Sequence, residues 1–204
     1  KSTLLDLFMG FVHPLSGEVR IDGRPIRDIG RDALRAQMAL VPQRGVLFSG
    51  TLLENMTLFR EGEVVDEALE LAGRLGLDEA VTRLPDGLDT QVGGGTTDTF
   101  SEGFRQRLVV VRSLVGNPRV VLFDDANASF DSENDQRLLA LLAEFRGNRT
   151  MVIVSHRPSV LSMCDRVYRI EAGTLRSTST SPRPADSPLA EDRADERPMR
   201  VKAS

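Results

Sequence analysis

Two short, unbroken apolar runs constrain this chain more than any other feature: Val120-Val121-Leu122-Phe123 and Met151-Val152-Ile153-Val154. Neither run alternates with polar residues, so neither has a face to offer to water. Buried strands of that kind belong to parallel sheets. Between them Leu138, Leu139, Leu141, Leu142 and Phe145 recur at helical spacing. Ser132, followed by Asp135, has the pattern of a capping box at the start of that helix. Strand, helix, strand predicts an α/β fold built on a parallel sheet.

The flanking sequence fits such a frame. Leu4, Leu5, Leu7 and Phe8 give an apolar helical face at the beginning of the chain. Residues 17–23, Gly-Glu-Val-Arg-Ile-Asp-Gly, alternate between glycines and read as a short strand pair or a turn. Met38 to Val41 is a brief apolar run ended by Pro42. Val64, Val65, Ala68, Leu69, Ala72 and Leu75 recur with helical period, and Leu108 to Val115 continue another helix until Gly116-Asn117-Pro118 stops it. From Leu175 onward large apolar residues nearly vanish, and Pro182, Pro184, Pro188 and Pro198 interrupt the chain. Such a segment buries too little apolar area to offset its ordering entropy, so residues 176–204 are expected to form a disordered tail.

Composition narrows the function classes. With 30 acidic and 26 basic side chains the net charge is −4, which argues against a nucleic-acid-binding surface. The single cysteine, Cys164, excludes an internal disulfide framework. No apolar run reaches the roughly 18–20 residues needed to span a bilayer. The opening Lys1-Ser2-Thr3-Leu4-Leu5 reads as the inside of a motif, so the sequence is expected to continue upstream.

Ligands of parallel α/β sheets bind beyond the carboxyl ends of the strands. One strand here ends in Asp124-Asp125 and the other in Ser155-His156. Asp124 suits a Mg²⁺ shell, because that cation takes oxygen ligands and keeps several waters. Asp125 could then orient or deprotonate a water. By themselves these residues leave both readings open, since a strand-terminal Asp can equally cap a helix. Lys1-Ser2-Thr3 supplies a third piece. It matches the end of the phosphate-binding loop G-x-x-x-x-G-K-[ST], whose Lys reaches the β- and γ-phosphates and whose hydroxyl binds Mg²⁺.

Lys1-Ser2-Thr3, Val41-Pro42-Gln43, Phe100-Ser101-Glu102-Gly103-Phe104-Arg105-Gln106-Arg107, the run from Val120 to Asp131, and Ser155-His156 occur in one order. In that order they resemble the nucleotide-binding domain of an ABC transporter. Leu47-Phe48-Ser49-Gly50-Thr51-Leu52-Leu53-Glu54-Asn55-Met56 and Leu84-Pro85-Asp86-Gly87-Leu88-Asp89-Thr90-Gln91-Val92-Gly93 resemble its exporter branch. The resemblance implies a P-loop NTPase: a RecA-like parallel-sheet core lacking its first strands, with a helical subdomain at about 48–115 inserted in a cassette spanning residues 1–175. It implies ATP and Mg²⁺ as ligands, and in-line attack of water on the γ-phosphate.

Residue by residue, the resemblance makes Lys1, Ser2 and Thr3 the end of the Walker A loop, with Ser2 on Mg²⁺. Gln43 becomes the Q-loop residue that senses Mg²⁺ and the attacking water and touches the transmembrane coupling helices. Ser101 and Gly103 belong to the signature that closes over ATP held by the opposite subunit. Asp124 is the Walker B aspartate, Asp125 stands at the catalytic glutamate position, Asp131 ends the D-loop and His156 is the switch histidine. The implied partners are a transmembrane permease domain of the same full-length chain and a second cassette in a head-to-tail dimer, on the cytoplasmic face of the plasma (inner) membrane. A DNA-directed relative would show a basic stripe or long coiled-coil insertions, and neither occurs between Gln43 and Ser101.

The sequence also departs from the family pattern. The usual signature L-S-G-G-Q is F-S-E-G-F here. Glu102 brings a carboxylate toward a triphosphate; at roughly 4 Å and an effective dielectric near 20, like unit charges cost about 4 kcal/mol. Phe104 in place of Gln is expected to put an apolar side chain at the closing surface or against a partner domain. Asp125 for Glu shortens the arm by a methylene, and a misplacement of about 1 Å can cost about a hundredfold in rate. The X-loop glutamate position reads as Gly94. Since Asp125 weakens the subunit's own site and the signature weakens the partner's, the pattern implies a heteromeric partner. It also implies an alternative, a mainly regulatory ATP-binding half.

Overall fold

A computed structural model describes residues 1–93 and 100–180 of the chain. It opens with helix α1 (Ser2–Phe8). A small hairpin follows, β1 (Arg20–Ile21) and β2 (Arg24–Pro25), paired antiparallel. Its turn residues Asp22 and Gly23 both have positive φ, 49° and 76°, the conformation of a tight hairpin turn. The alternation between the flanking glycines is thus a strand pair, whose second strand lies beyond Gly23.

Helix α2 (Arg31–Gln37) then runs straight into β3 (Met38–Val41). Next come β4 (Gly50–Thr51), α3 (Leu52–Thr57), α4 (Glu63–Arg74), α5 (Leu77–Val81), β5 (Gln91–Val92) and α6 (Glu102–Leu114). Thr51 starts α3 with a complete capping box: its hydroxyl accepts from Glu54 N at 3.0 Å, and the Glu54 carboxylate accepts from Thr51 N at 2.7 Å. The chain closes with β6 (Val120–Asp124), α7 (Ser132–Phe145), β7 (Thr150–Val154), α8 (Pro158–Ser162) and the hairpin β8 (Arg166–Glu171) and β9 (Thr174–Thr180).

The predicted buried strands form a three-stranded parallel sheet in the order β3-β6-β7. Register pairs Val41 with Phe123, and Phe123 with Ile153. Because side chains alternate across a strand, each run divides between two cores. Val121, Phe123, Met151 and Ile153 face the cluster built with α3 to α7, whereas Leu122, Val152 and Val154 face Leu5 of α1 and Leu34 of α2. The sheet is therefore covered on both sides, as unbroken apolar strands require. Among the described residues no helix is long and apolar enough to cross a membrane.

Two expectations need correction. Ser132 does not cap α7; Asp131 does, its carboxylate accepting from Asn134 N at 2.9 Å, so the helix begins one residue earlier than the capping-box pattern placed it. The change of composition near Gly173 is a hairpin turn rather than the edge of a tail. Ala172 and Gly173 take φ of 47° and 74°, and β9 pairs with β8 as far as Thr180. Threonines favour extended backbone, and a solvated hairpin needs no large apolar residues. Residues 181–204 lie outside the described residues, as does Gly94.

Candidate functional site

Since β3, β6 and β7 are parallel, their carboxyl ends share one edge of the sheet. Gln43 follows β3, Asp124 ends β6, and Ser155-His156 follows β7. Asp125 leaves the sheet in the left-handed region, φ 49°, with its N–H donating to Val154 O at 2.8 Å. Asp is among the few side chains that tolerate this conformation. The turn brings the Asp125 carboxylate Oδ1 to 3.1 Å from His156 Nδ1. The approach is close but poorly aligned, and Oδ1 is buried without a hydrogen-bond donor. A carboxylate side chain only 16% exposed, with unmet acceptor capacity, stands beside an imidazole 70% exposed. Such a pair can take a proton from a water and present a ring N–H to an anion.

The loop after Asp125 is pinned by residues that motif reading missed. Asp135 is buried in the first turn of α7 and accepts from Asn127 Nδ2 at 2.5 Å and Ser159 Oγ at 3.3 Å. Arg157, directly after His156, pairs with Asp135 Oδ1 at 3.0 Å. The same guanidinium donates to Ala128 O at 3.3 Å and Phe130 O at 3.0 Å. Asp131 spends one carboxylate oxygen on the cap of α7.

The other candidates lie on neighbouring elements. Lys1, Ser2 and Thr3 are exposed at the start of α1, whose Leu5 anchors it against Leu122 of β6. Ser101 caps α6, its hydroxyl accepting from Phe104 N at 3.2 Å. Gly103 lies so close to the loop after β6 that an added Cβ would come within 3.2 Å of Ser129 O. Glu102 is exposed in the first turn of α6, where a carboxylate complements the helix dipole. Gln43 is exposed, while its neighbour Pro42 accepts from Gln106 Nε2 of α6 at 2.7 Å. A Cβ at Gly45 would collide with Val109 at 2.8 Å, so this loop is pressed on α6.

Phe104 corrects an expectation. It is 5% exposed and stacks on Phe100 at 4.6 Å between ring centroids, inside the larger core. It points away from the closing surface, because residues 104, 108 and 111 share the buried face of α6.

The donor set suits a hard cation carried by a phosphate ligand. Ser2 offers a hydroxyl, Gln43 an amide oxygen and Asp124 a carboxylate, all oxygen donors. Among the described residues no three His, Cys, Asp or Glu side chains gather to hold a metal ion by themselves. Mg²⁺ fits that arrangement, since it is commonly held by one carboxylate plus waters and substrate phosphates. A polar cleft of about 380 Å³ at the opposite edge of the sheet is lined by Arg74, Asn117, Arg119, Glu144 and Arg149, and holds none of these donors.

A parallel sheet with carboxylates and a histidine at its carboxyl edge, beside an exposed K-S-T helix start, defines a phosphate-handling α/β protein. The family model described as ABC transporter matches residues 1–128, more than half of the chain. The chain is 36% identical over 176 residues to a multidrug resistance ABC transporter ATP-binding and permease protein of Lactococcus lactis, covering 86% of this chain and 30% of that protein. It is 37% identical over 177 residues to an ATP-dependent lipid A-core flippase of Burkholderia orbicola, covering 86% and 29% respectively. A bacterial Atm1-family ABC exporter solved with ATP bound superposes with a TM-score of 0.76 at 33% identity, over 82% of this chain and 30% of that one. The chain thus spans less than a third of the length of these relatives. The chain belongs to the ABC transporter family, and its fold is that of the ABC cassette.

Proposed function

We propose that this chain is the ATP-binding and hydrolysing domain of an ABC exporter, driving export from the cytoplasmic face of the plasma membrane. The observation that carries the reading is the meeting of Asp125 and His156 at 3.1 Å, at the strand end that also bears Asp124. Lys1 and Thr3 bind phosphate; Ser2, Gln43 and Asp124 hold Mg²⁺, which when bound neutralises phosphate charge. Asp125 orients and deprotonates the attacking water, and His156 steadies the γ-phosphate. Catalysis of this kind is mostly positioning and electrostatics. Ser101 and Gly103 at the start of α6, with Asp131, face nucleotide held by a second cassette in a head-to-tail dimer.

The full-length chain carries a permease domain, as the name of the Lactococcus relative does, and the partner cassette is a different protein. Exposed Glu102 and the short Asp125 arm favour one further reading, a regulatory half with little hydrolysis of its own. The test is Mg²⁺-dependent ATP turnover by the full-length protein with its partner. Lys1→Ala is expected to weaken nucleotide binding, and His156→Ala to leave binding intact and remove turnover. Unchanged turnover in both variants would refute the assignment.

A further inference from the structure

We infer that Arg157 is a positioning residue that joins this subunit's own nucleotide site to the one it shares with its partner. The inference rests on the proposed function and assigns a task to a residue outside the family motifs quoted above. Arg157 follows His156 directly, and its N–H donates to Ser155 Oγ at 3.1 Å, so guanidinium and imidazole belong to one short loop. From there the guanidinium reaches back 27 and 29 residues to the carbonyls of Phe130 and Ala128. Only a planar fork with several fixed donors makes such a grip on two carbonyls while pairing with a carboxylate.

The grip is set by its surroundings. Asp135 holds the guanidinium at 3.0 Å, and is itself held by Asn127 and Ser159. Between the two gripped carbonyls lies Ser129 O, against which Gly103 packs so closely that an added Cβ would come within 3.2 Å of it. The contact path is continuous: His156, Arg157, residues 128–130, then the start of α6 with Ser101 and Gly103. One end faces this chain's own phosphate site and the other faces the partner's. A shift of His156 on phosphate release therefore drags the 128–130 carbonyls, and with them the surface that closes on the partner's nucleotide. Packed elements transmit such shifts because they occupy discrete arrangements rather than deforming smoothly.

The experiment uses the full-length protein with its partner, as parent, Arg157→Lys and Arg157→Gln. Lys keeps a charge for Asp135 but has no fork, so it preserves folding while releasing the carbonyls. Amide exchange is read at Ala128 and Phe130, whose N–H groups bond to Asp125 O and Asn127 O within the same loop. Both variants are expected to raise exchange there about tenfold, with β6 and β7 unchanged. Turnover is expected to fall about tenfold to a hundredfold at saturating Mg-ATP, with KM for ATP within about twofold. Unaltered kcat in a variant whose loop has loosened would overturn the inference. So would a loss confined to KM, or exchange raised equally through β6 and β7, which marks a residue that merely holds the fold. If the parent itself neither binds nor hydrolyses ATP, the functional reading fails and the inference with it. A parent that turns over beside variants that match it defeats the inference alone.

Discussion

The loop after β6 and the start of α6 lie against each other and share one core, yet directed polar contacts are concentrated on the first. Residues 127–131 bury Phe130 in the larger core and are otherwise fixed by polar contacts: Arg157 on two carbonyls, Asp135 on Asn127, and Asp131 on the first turn of α7. Residues 100–104 are fixed by the stack of Phe100 on Phe104 and by one hydroxyl cap. A set of directed hydrogen bonds defines where each carbonyl points, whereas an apolar stack sets depth and leaves direction loose. The first device suits a part whose small displacements must be passed on. The second suits a helix end that keeps its place while its outward surface, Glu102 included, stays in solvent.

Removing Asp135 should break this comparison hardest. Asp135→Ala strips a side chain 12% exposed from a guanidinium 24% exposed, and breaking a buried pair from one side costs about 3–5 kcal/mol. Urea denaturation would show it, and a loss under about 1 kcal/mol would mean that the polar pinning is ornamental. On the apolar side, Phe104→Gln restores the family letter but buries an amide within the core. The lost apolar burial and the unpaired amide should together cost about 3 kcal/mol, with no gain in turnover. A variant that is both stable and faster would place Phe104 at the closing surface after all.

Gln106→Leu is expected to cost less, about 1 kcal/mol. It removes the donor to Pro42 O but also removes a buried Oε1 that has no partner. Guanidinium or urea midpoints resolve a change of that size. Glu102→Gly should move stability by no more than about 1 kcal/mol, since at the exposed start of α6 it forfeits a favourable charge and some helix propensity. Its effect belongs instead to the assembled dimer, as a lower KM for ATP; an unchanged KM would remove Glu102 from the closing surface. Cys164, just past the end of α8, offers a reference outside both segments. Burial, then the neighbouring Asp165 charge, pushes its thiol above the ordinary range. Deprotonation is therefore suppressed at pH 8, and alkylation should be slow until denaturant is added. Rapid labelling of the folded protein would contradict that.

What the sequence revealed and hid follows from how each part is held. The strands were legible because Val120 to Phe123 and Met151 to Val154 are short and unbroken, and their polar ends announced the reactive edge. Arg157 was not legible, because its partners are backbone carbonyls far back in the chain, which leave no side-chain pattern. The strand β9 was hidden because a solvated hairpin has the composition of a loose terminus. Phe104 was misplaced by its motif letter although its phase with Leu108 and Val111 carried the right answer. Periodicity reported the packing there, and the motif reported only the neighbourhood.

The central claim is that Asp125, on its left-handed turn beside His156, serves as the base of a working ATPase. Mg-ATP turnover by the full-length protein with its partner, measured beside Asp125→Asn, tests it most directly. The account predicts measurable turnover in the parent and a loss of about a hundredfold or more in the variant, with ATP binding retained. Equal turnover by parent and Asp125→Asn would contradict it, and would assign the hydrolysis to the partner's site.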